Sequence, residues 1–497
     1  MSTHPEAPVV TIDAGAVRGV WRDASAAFLG IPFAQAPVGD LRYAAPVPPK
    51  PWDGVRDATA YGATALRADP GHTLIPEPPI PGDATLNVNV FTPRPGEPDA
   101  GLPVIVYIHG GGYTAGSPAS PWYDGAAFNR DGVVTVTISY RLGFDGFGFI
   151  EGAPSNRGVR DWLAALEWVQ TNIAAFGGDR ERVTIAGQSA GGGAVLTLLS
   201  MPAAQHLFHA AWAMSPAIGD VTVAAARGRA RRLAALAGVA ADRAGFVSIA
   251  EATLHGLQEG AAHPVSKDRL APVRAMLVDG PEWSPVIDGE LIPLPPVESL
   301  REGVGADKPL VVGSTDDEFT MVLDSFRRKL ALVPPALALA QLGVPAPVRR
   351  AYLAANRDRR HRGTAALLGR FATDRVFRSL VARVARARTL LEHRDAAPTW
   401  VYRFSWSSPV IGWACHCLDV PFWFDCLDAE RVEQLAGDAP PRALAAALHG
   451  AAAAFARDQD PGWRAWSAAP GTTRVFGGAA SAPDTVADGY ASVSALL

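Results

Sequence analysis

Cysteine is almost missing from this chain. Only Cys415, Cys417 and Cys426 occur in 497 residues, all in one short region. An odd count without spread excludes a disulfide framework and fits a reducing compartment. Lysine is nearly as scarce, at positions 50, 267, 308 and 329 only, so arginine carries most of the positive charge. Lys+Arg total 45 against 49 Asp+Glu, a net charge of -4. That balance gives no global field for nucleic acid or an anionic membrane. Local basic runs, at Arg227, Arg229, Arg231 and Arg232 and over 357–362, have no interleaved aromatic platform and read as solvated helix faces. No uninterrupted apolar stretch is long enough to span a bilayer. The opening Met1–Glu6 lacks the basic and apolar regions of a signal peptide. A cytoplasmic location, with neither nucleic-acid nor membrane partners, is the expectation.

What the chain does have is apolar material: 48% of its residues are hydrophobic. Length alone allows two or three domains, but large α/β enzymes often run as one domain with insertions. A single domain over 1–497 is expected. Val9–Ile12 and Val17–Trp21 flank Asp13-Ala14-Gly15, a hairpin pattern. Further on, Pro103–Ile108, Val133–Ile138, Val183–Ala186, Leu310–Gly313 and Trp400–Phe404 are apolar on both faces, as central strands covered by helices must be. Between them Val159–Phe176 places Trp162, Leu163, Leu166, Val169 and Ile173 at helical spacing. Alternating strands and helices predict an α/β fold with a mostly parallel sheet. The Ala-, Leu- and Arg-rich stretches at about 195–280 and 320–395 read as helical excursions over one end of the sheet, the end where such folds place their ligands.

Gly187-Gln188-Ser189-Ala190-Gly191 follows the strand Val183–Ala186 directly and opens a small-residue helix. A strand-to-helix turn this tight strains its middle residue, and only small neighbours let the chain fold back. The serine hydroxyl is then lifted to a helix N-terminus that favours a developing anion. Ser189 is the candidate nucleophile. His109-Gly110-Gly111-Gly112 ends the strand Val104–Ile108. Consecutive glycines let N–H groups approach a substrate oxygen without Cβ interference. Gly111 and Gly112, with the N–H of Ala190, are the expected oxyanion donors. His109, before the glycines, is assigned to fixing that loop.

At this point the sequence resembles the type-B carboxylesterase family, which includes bacterial p-nitrobenzyl-type esterases and cholinesterases. The resemblance covers nearly the whole chain. It runs through Phe28–Ala34, Leu41-Arg42-Tyr43, Leu86–Phe91, Ser139–Gly143, Ala165–Gln170, Ile173–Asp179, Trp283–Gly289 and Trp400–Phe404. It implies an α/β-hydrolase fold with helical insertions over the active site and a Ser-Glu-His triad. The family's acid segment matches Gly313-Ser314-Thr315-Asp316-Asp317-Glu318-Phe319, selecting Glu318. Its histidine segment matches His416-Cys417-Leu418-Asp419-Val420-Pro421-Phe422-Trp423-Phe424, selecting His416. Ser215 matches a serine that often supports the acid, and an Arg42–Asp83 pair is expected by the same likeness. The chain departs from the pattern at Phe319, where Gly is usual, at Trp162, where Gln is usual, and at Gln188, where Glu is usual. Thr85 replaces a usual Cys, so the family's first disulfide is absent.

The implied chemistry is acyl transfer on a small-molecule ester, with no metal or organic cofactor. Cys415-His416-Cys417 invites a metal reading, but neighbouring side chains diverge and a closed zinc site wants four ligands. An amide or carbamate hydrolase would share every residue named. A non-enzymatic adhesion relative would be expected to lose triad residues. Cholinesterase-like specificity would need an aromatic site for a quaternary ammonium.

Overall fold

The computed structural model describes residues 6–67, 73–262, 268, 270–389 and 396–497. Its centre is an eleven-stranded sheet. In chain order the strands are β1 (Val20–Arg22), β2 (Ser25–Pro32), β3 (Asn87–Thr92), β4 (Leu102–Ile108), β5 (Val134–Ile138) and β6 (Gly178–Gln188). They continue with β7 (Ala210–Met214), β8 (Leu310–Thr315), β9 (Thr399–Phe404), β10 (Thr473–Phe476) and β11 (Thr485–Val486). The spatial order is β11-β10-β9-β8-β7-β6-β4-β5-β3-β2-β1. The seven strands from β10 to β5 run parallel, and only the rims are antiparallel. The mostly parallel sheet of an α/β-hydrolase is therefore observed.

The five apolar runs all lie in this sheet because successive side chains alternate between its faces, and both faces are covered. Val104, Val106 and Ile108 point into one core layer, whereas Ile105 and Tyr107 point into the other. Helix α1 (Arg157–Asn172) and helix α2 (Ala190–Leu199) cover the first face, through Trp162, Leu166, Val169, Leu196 and Leu199. The C-terminal helix Arg442–Asp458 covers the second, through Leu448 and Phe455.

Three local readings change. The N-terminal hairpin closes on Gly15–Arg18, and the chain then breaks at Gly19 so that Val20–Arg22 joins the main sheet instead. Ala210–Met214, inside a stretch whose composition reads as helix, is a central strand between β6 and β8. Its Ala-rich sequence carries little strand signal; burial between two parallel neighbours decides it. The basic runs are not simply solvated. Arg359 lies 3.2 Å from Asp317, Arg362 stacks 3.7 Å over the Trp413 ring, and Arg232 donates to the carbonyls of Ala261 and Ala262.

The remaining helices used below are α3 (Val223–Ala237), α4 (Glu251–Ala262), α5 (Ala271–Asp279), α6 (Thr320–Asp324), α7 (Arg327–Leu330) and α8 (Pro335–Gln341). Among the described residues no helix is long and apolar enough to cross a membrane.

Candidate active site

The carboxyl ends of four parallel strands meet at one cavity. β6 runs into Ser189, β4 into the glycine loop, β8 into Glu318, and the segment after β9 carries His416. Parallel strands end together on one edge, so residues distant in sequence converge there.

Ser189 has φ 60° and ψ -121°, a strained combination for a residue with a Cβ. Its N–H donates to the Met214 carbonyl at 3.0 Å, and its carbonyl accepts from Gly193 at 2.8 Å and Ala217 at 3.0 Å. These bonds hold the turn. The glycine at 191 is a packing necessity: an added Cβ would lie 2.0 Å from the Ile108 carbonyl oxygen. Ala190 is the first residue of α2, where an N–H has no partner within the helix.

The glycine loop needs left-handed backbone at Gly111, φ +107°, and at Gly112, φ +61°. A Cβ on Gly111 would meet the Ala115 carbonyl oxygen at 2.2 Å. One on Gly112 would meet nothing nearer than Thr114 Oγ1 at 3.9 Å, so it would project into the cavity. Gly112→Val is therefore expected to fold while distorting the loop, because a β-branched residue is disfavoured at this φ. Losing one oxyanion donor costs on the order of 10²–10³ in turnover. A folded Gly112→Val variant with near-normal ester turnover would remove the loop from the chemistry. His109 buttresses the loop: its Nδ1 lies 2.8 Å from the Gly110 carbonyl and its ring stacks on Tyr140 at 4.4 Å. Burial pushes its pKa down to about 4, so it is a neutral strut.

Glu318 is fully buried, and its Oε2 lies 2.5 Å from His416 Nδ1. Its Oε1 accepts from the Thr315 N–H at 2.9 Å, and its carbonyl accepts from the His416 N–H at 2.8 Å. The carboxylate thus accepts a hydrogen bond from Nδ1–H, the tautomer that leaves Nε2 as the accepting nitrogen. Nε2 faces the elbow, where the Gln188 amide nitrogen approaches to 3.2 Å. The Gln188 carbonyl oxygen in turn accepts from the Cys417 thiol at 3.4 Å. Burial opposes charge on His416, but Cys417 and the Glu318 carboxylate outweigh it and hold the pKa well above the ordinary histidine value. Burial pushes the Cys417 thiol up, against the lowering effect of His416 beside it. Asp419, also buried, is raised to about 7 by burial and then by Glu318, and it accepts from the Tyr402 hydroxyl at 3.2 Å.

The two aspartates before Glu318 point elsewhere. Asp316 receives Arg403 at 2.6 and 2.8 Å, Arg378 at 2.8 Å and Ser405 at 2.7 Å. Burial opposes its charge, but Arg403 and Arg378 hold the carboxyl well below the usual range. Asp317 faces Arg359 and Arg370. Ser215 reaches the Thr315 N–H at 3.4 Å, the group that also serves Glu318, rather than the carboxylate itself. Arg42 pairs with Asp145 at 3.0 Å and the Ile249 carbonyl at 2.6 Å, so the expected Asp83 partnership is replaced. Trp162 fills a buried aromatic cluster with Tyr113, Tyr140 and Phe147. All three cysteines are free, Cys415 and Cys417 buried.

Ser189, Gly111, Gly112 and His416 line a cavity of about 440 Å³ whose other walls are mainly apolar: Leu74, Ile75, Tyr123, Met276, Phe319 and Phe377. Phe319, the departure beside Glu318, packs tilted against the His416 ring at 4.8 Å, and Phe377 lies 5.0 Å from it. The Phe377 contact escaped the sequence because that residue lies in a helical insertion with no motif of its own. The Gln188–His416 contact was marked only by the departure from Glu; its partner is 228 positions away.

Comparison with known proteins places the whole chain in a family. The carboxylesterase family model matches residues 6–475. The para-nitrobenzyl esterase of Bacillus subtilis is 33% identical, over 94% of this chain and 93% of that one. The phenmedipham hydrolase of Pseudarthrobacter oxydans is 32% identical, over 91% and 90%. A Geobacillus stearothermophilus carboxylesterase structure superposes with a TM-score of 0.75 at 32% identity, covering 94% of this chain and 96% of that one. A thermophilic PNB esterase structure gives a TM-score of 0.79 at 30% identity, covering 95% and 96%. With whole-length matches in sequence and in structure, the chain belongs to the carboxylesterase family and is a carboxylic-ester hydrolase.

Proposed function

We propose that this enzyme cleaves small alkyl and aryl esters through an acyl-enzyme on Ser189. His416 Nε2 takes the Ser189 proton as the oxygen attacks the ester carbonyl. Glu318 holds the tautomer and stabilises the imidazolium. The N–H groups of Gly111, Gly112 and Ala190 bind the oxyanion. His416 then protonates the leaving alcohol, and a water activated by the same nitrogen releases the acid. The observation that carries this reading is the 2.5 Å contact of Glu318 Oε2 with His416 Nδ1, in the cavity that Ser189 lines. The apolar walls favour uncharged acyl and alcohol groups, and Glu77 and Glu282, which also line the cavity, disfavour anionic ones. An organophosphate tests it: the adduct should map to Ser189 by mass spectrometry, and an adduct at another residue would refute the assignment.

The pH dependence has a defined sign. Only neutral His416 can act as base, so activity falls as pH drops through its pKa. That pKa lies above the ordinary 6.5, so the acid limb of kcat/KM should be centred above pH 6.5. A profile flat from about pH 5 to 8 would exclude a titrating histidine base.

A further inference from the structure

Sixteen large apolar side chains are exposed among the described residues, and they are not spread evenly. Three lie on α5, Val273, Met276 and Val278, and four between 322 and 337, Val322, Phe326, Leu332 and Leu337. Leu332 is 96% exposed and Val278 67%. The two segments share one packed cluster. It contains Leu277 of α5 and Leu339, with Leu323 and Leu330 packed against it, and Arg274 Nη1 donates to the Gln341 carbonyl at 3.0 Å. Met276 also lines the cavity that holds Ser189 and His416, so this apolar face reaches the mouth of the site.

The charge of its 322–337 segment is distinctive. Residues 322–337 hold Arg327, Arg328 and Lys329 against Asp324 alone, a local net of +2 in a chain of net -4. All three cations are exposed, and the Lys329 ammonium lies 5.6 Å over the Phe326 ring. Apolar side chains projecting beside a basic triplet satisfy the two requirements of interfacial binding: insertion below the headgroups and attraction to anionic ones. A second copy of this chain fits less well. A two-fold contact sets a patch against itself and would bring the basic triplets together.

We propose that this face docks on an anionic lipid surface, with the mouth of the cavity turned toward it. Esters dissolved in that surface would then reach Ser189 without crossing water. Docking itself does not depend on the proposed acyl-enzyme chemistry, and the two are read by different assays. The full chain is floated with phosphatidylglycerol vesicles and, separately, with phosphatidylcholine vesicles. Binding is expected to phosphatidylglycerol, weakened by salt because exposed charges are screened. The double variant Phe326→Asp/Leu332→Asp, and separately Arg327→Glu/Arg328→Glu, should each lower vesicle binding at least about tenfold. Turnover of p-nitrophenyl acetate in solution should stay near wild type, since none of these four residues lines the cavity. Equal binding of wild type and variants, or no binding to phosphatidylglycerol at low salt, would overturn the proposal. So would sedimentation showing a dimer that Leu332→Asp dissociates, which would assign the face to a second copy.

Discussion

Ser189→Ala is expected to lower ester turnover by about 10⁶-fold, the loss seen when a serine nucleophile is removed from such a triad. The fold should survive. Alanine keeps the Cβ, so the strain at φ 60° and ψ -121° is unchanged, and the turn is held by backbone bonds to Met214, Gly193 and Ala217 that need no hydroxyl. The oxyanion donors and the cavity remain, so a residual rate of 10³–10⁴ over water is expected from them. Substrate binding should be little altered, because the loss falls on kcat. Circular dichroism and thermal unfolding of the variant, beside single-turnover measurement of an aryl ester, check both halves. Retained burst-phase alcohol release would show that another residue forms the acyl-enzyme.

Glu318→Gln should cost about 10⁴-fold in turnover, because an amide can donate to Nδ1 and so select the wrong imidazole tautomer. It also removes the carboxylate that stabilises the imidazolium. The variant's acid limb should move to lower pH, since Glu318 is one of the groups that hold the His416 pKa up. Asp316→Asn and Asp317→Asn behave differently. Neither aspartate faces His416, so turnover per folded molecule should stay within about tenfold, as for a change that spares the reacting groups. Asp316, however, serves Arg403, Arg378 and Ser405 in a buried network. Breaking a buried pair by neutralising one partner costs about 3–5 kcal/mol. Asp316→Asn should therefore lose stability and keep its chemistry, while Glu318→Gln does the reverse. Denaturant unfolding against kcat separates them, and a stable Asp316→Asn enzyme with collapsed kcat would move the triad acid to Asp316.

The sequence by itself determined the elements whose signal is local. Apolar runs such as Val104–Ile108 became central strands because burial on both faces leaves no polar alternative. The elbow at Ser189 was legible because its glycine-flanked serine sits directly between an apolar strand and a small-residue helix, although the contact that demands Gly191 is with distant Ile108. The glycines at 111 and 112 marked the loop by their missing Cβ atoms, while their left-handed backbone is a feature of the folded loop. The resemblance carried Glu318 and His416 by motif alone, since no local periodicity distinguishes Glu318 from Asp316 or Asp317. Tertiary structure decided what depends on long-range partners. Parallel strands bring residues 98 positions apart, Glu318 and His416, within 2.5 Å. Arg403 and Arg378 claim Asp316, Asp145 claims Arg42, and Gln188 meets His416. Ala210–Met214 is a strand only because β6 and β8 flank it. The apolar α5 and the apolar, basic 322–337 segment are brought together only because two insertions share one packed cluster. A net charge is a sum over the chain, but a surface responds to the charges within about 10 Å, the distance over which salt leaves them unscreened, and only folding sets which charges those are.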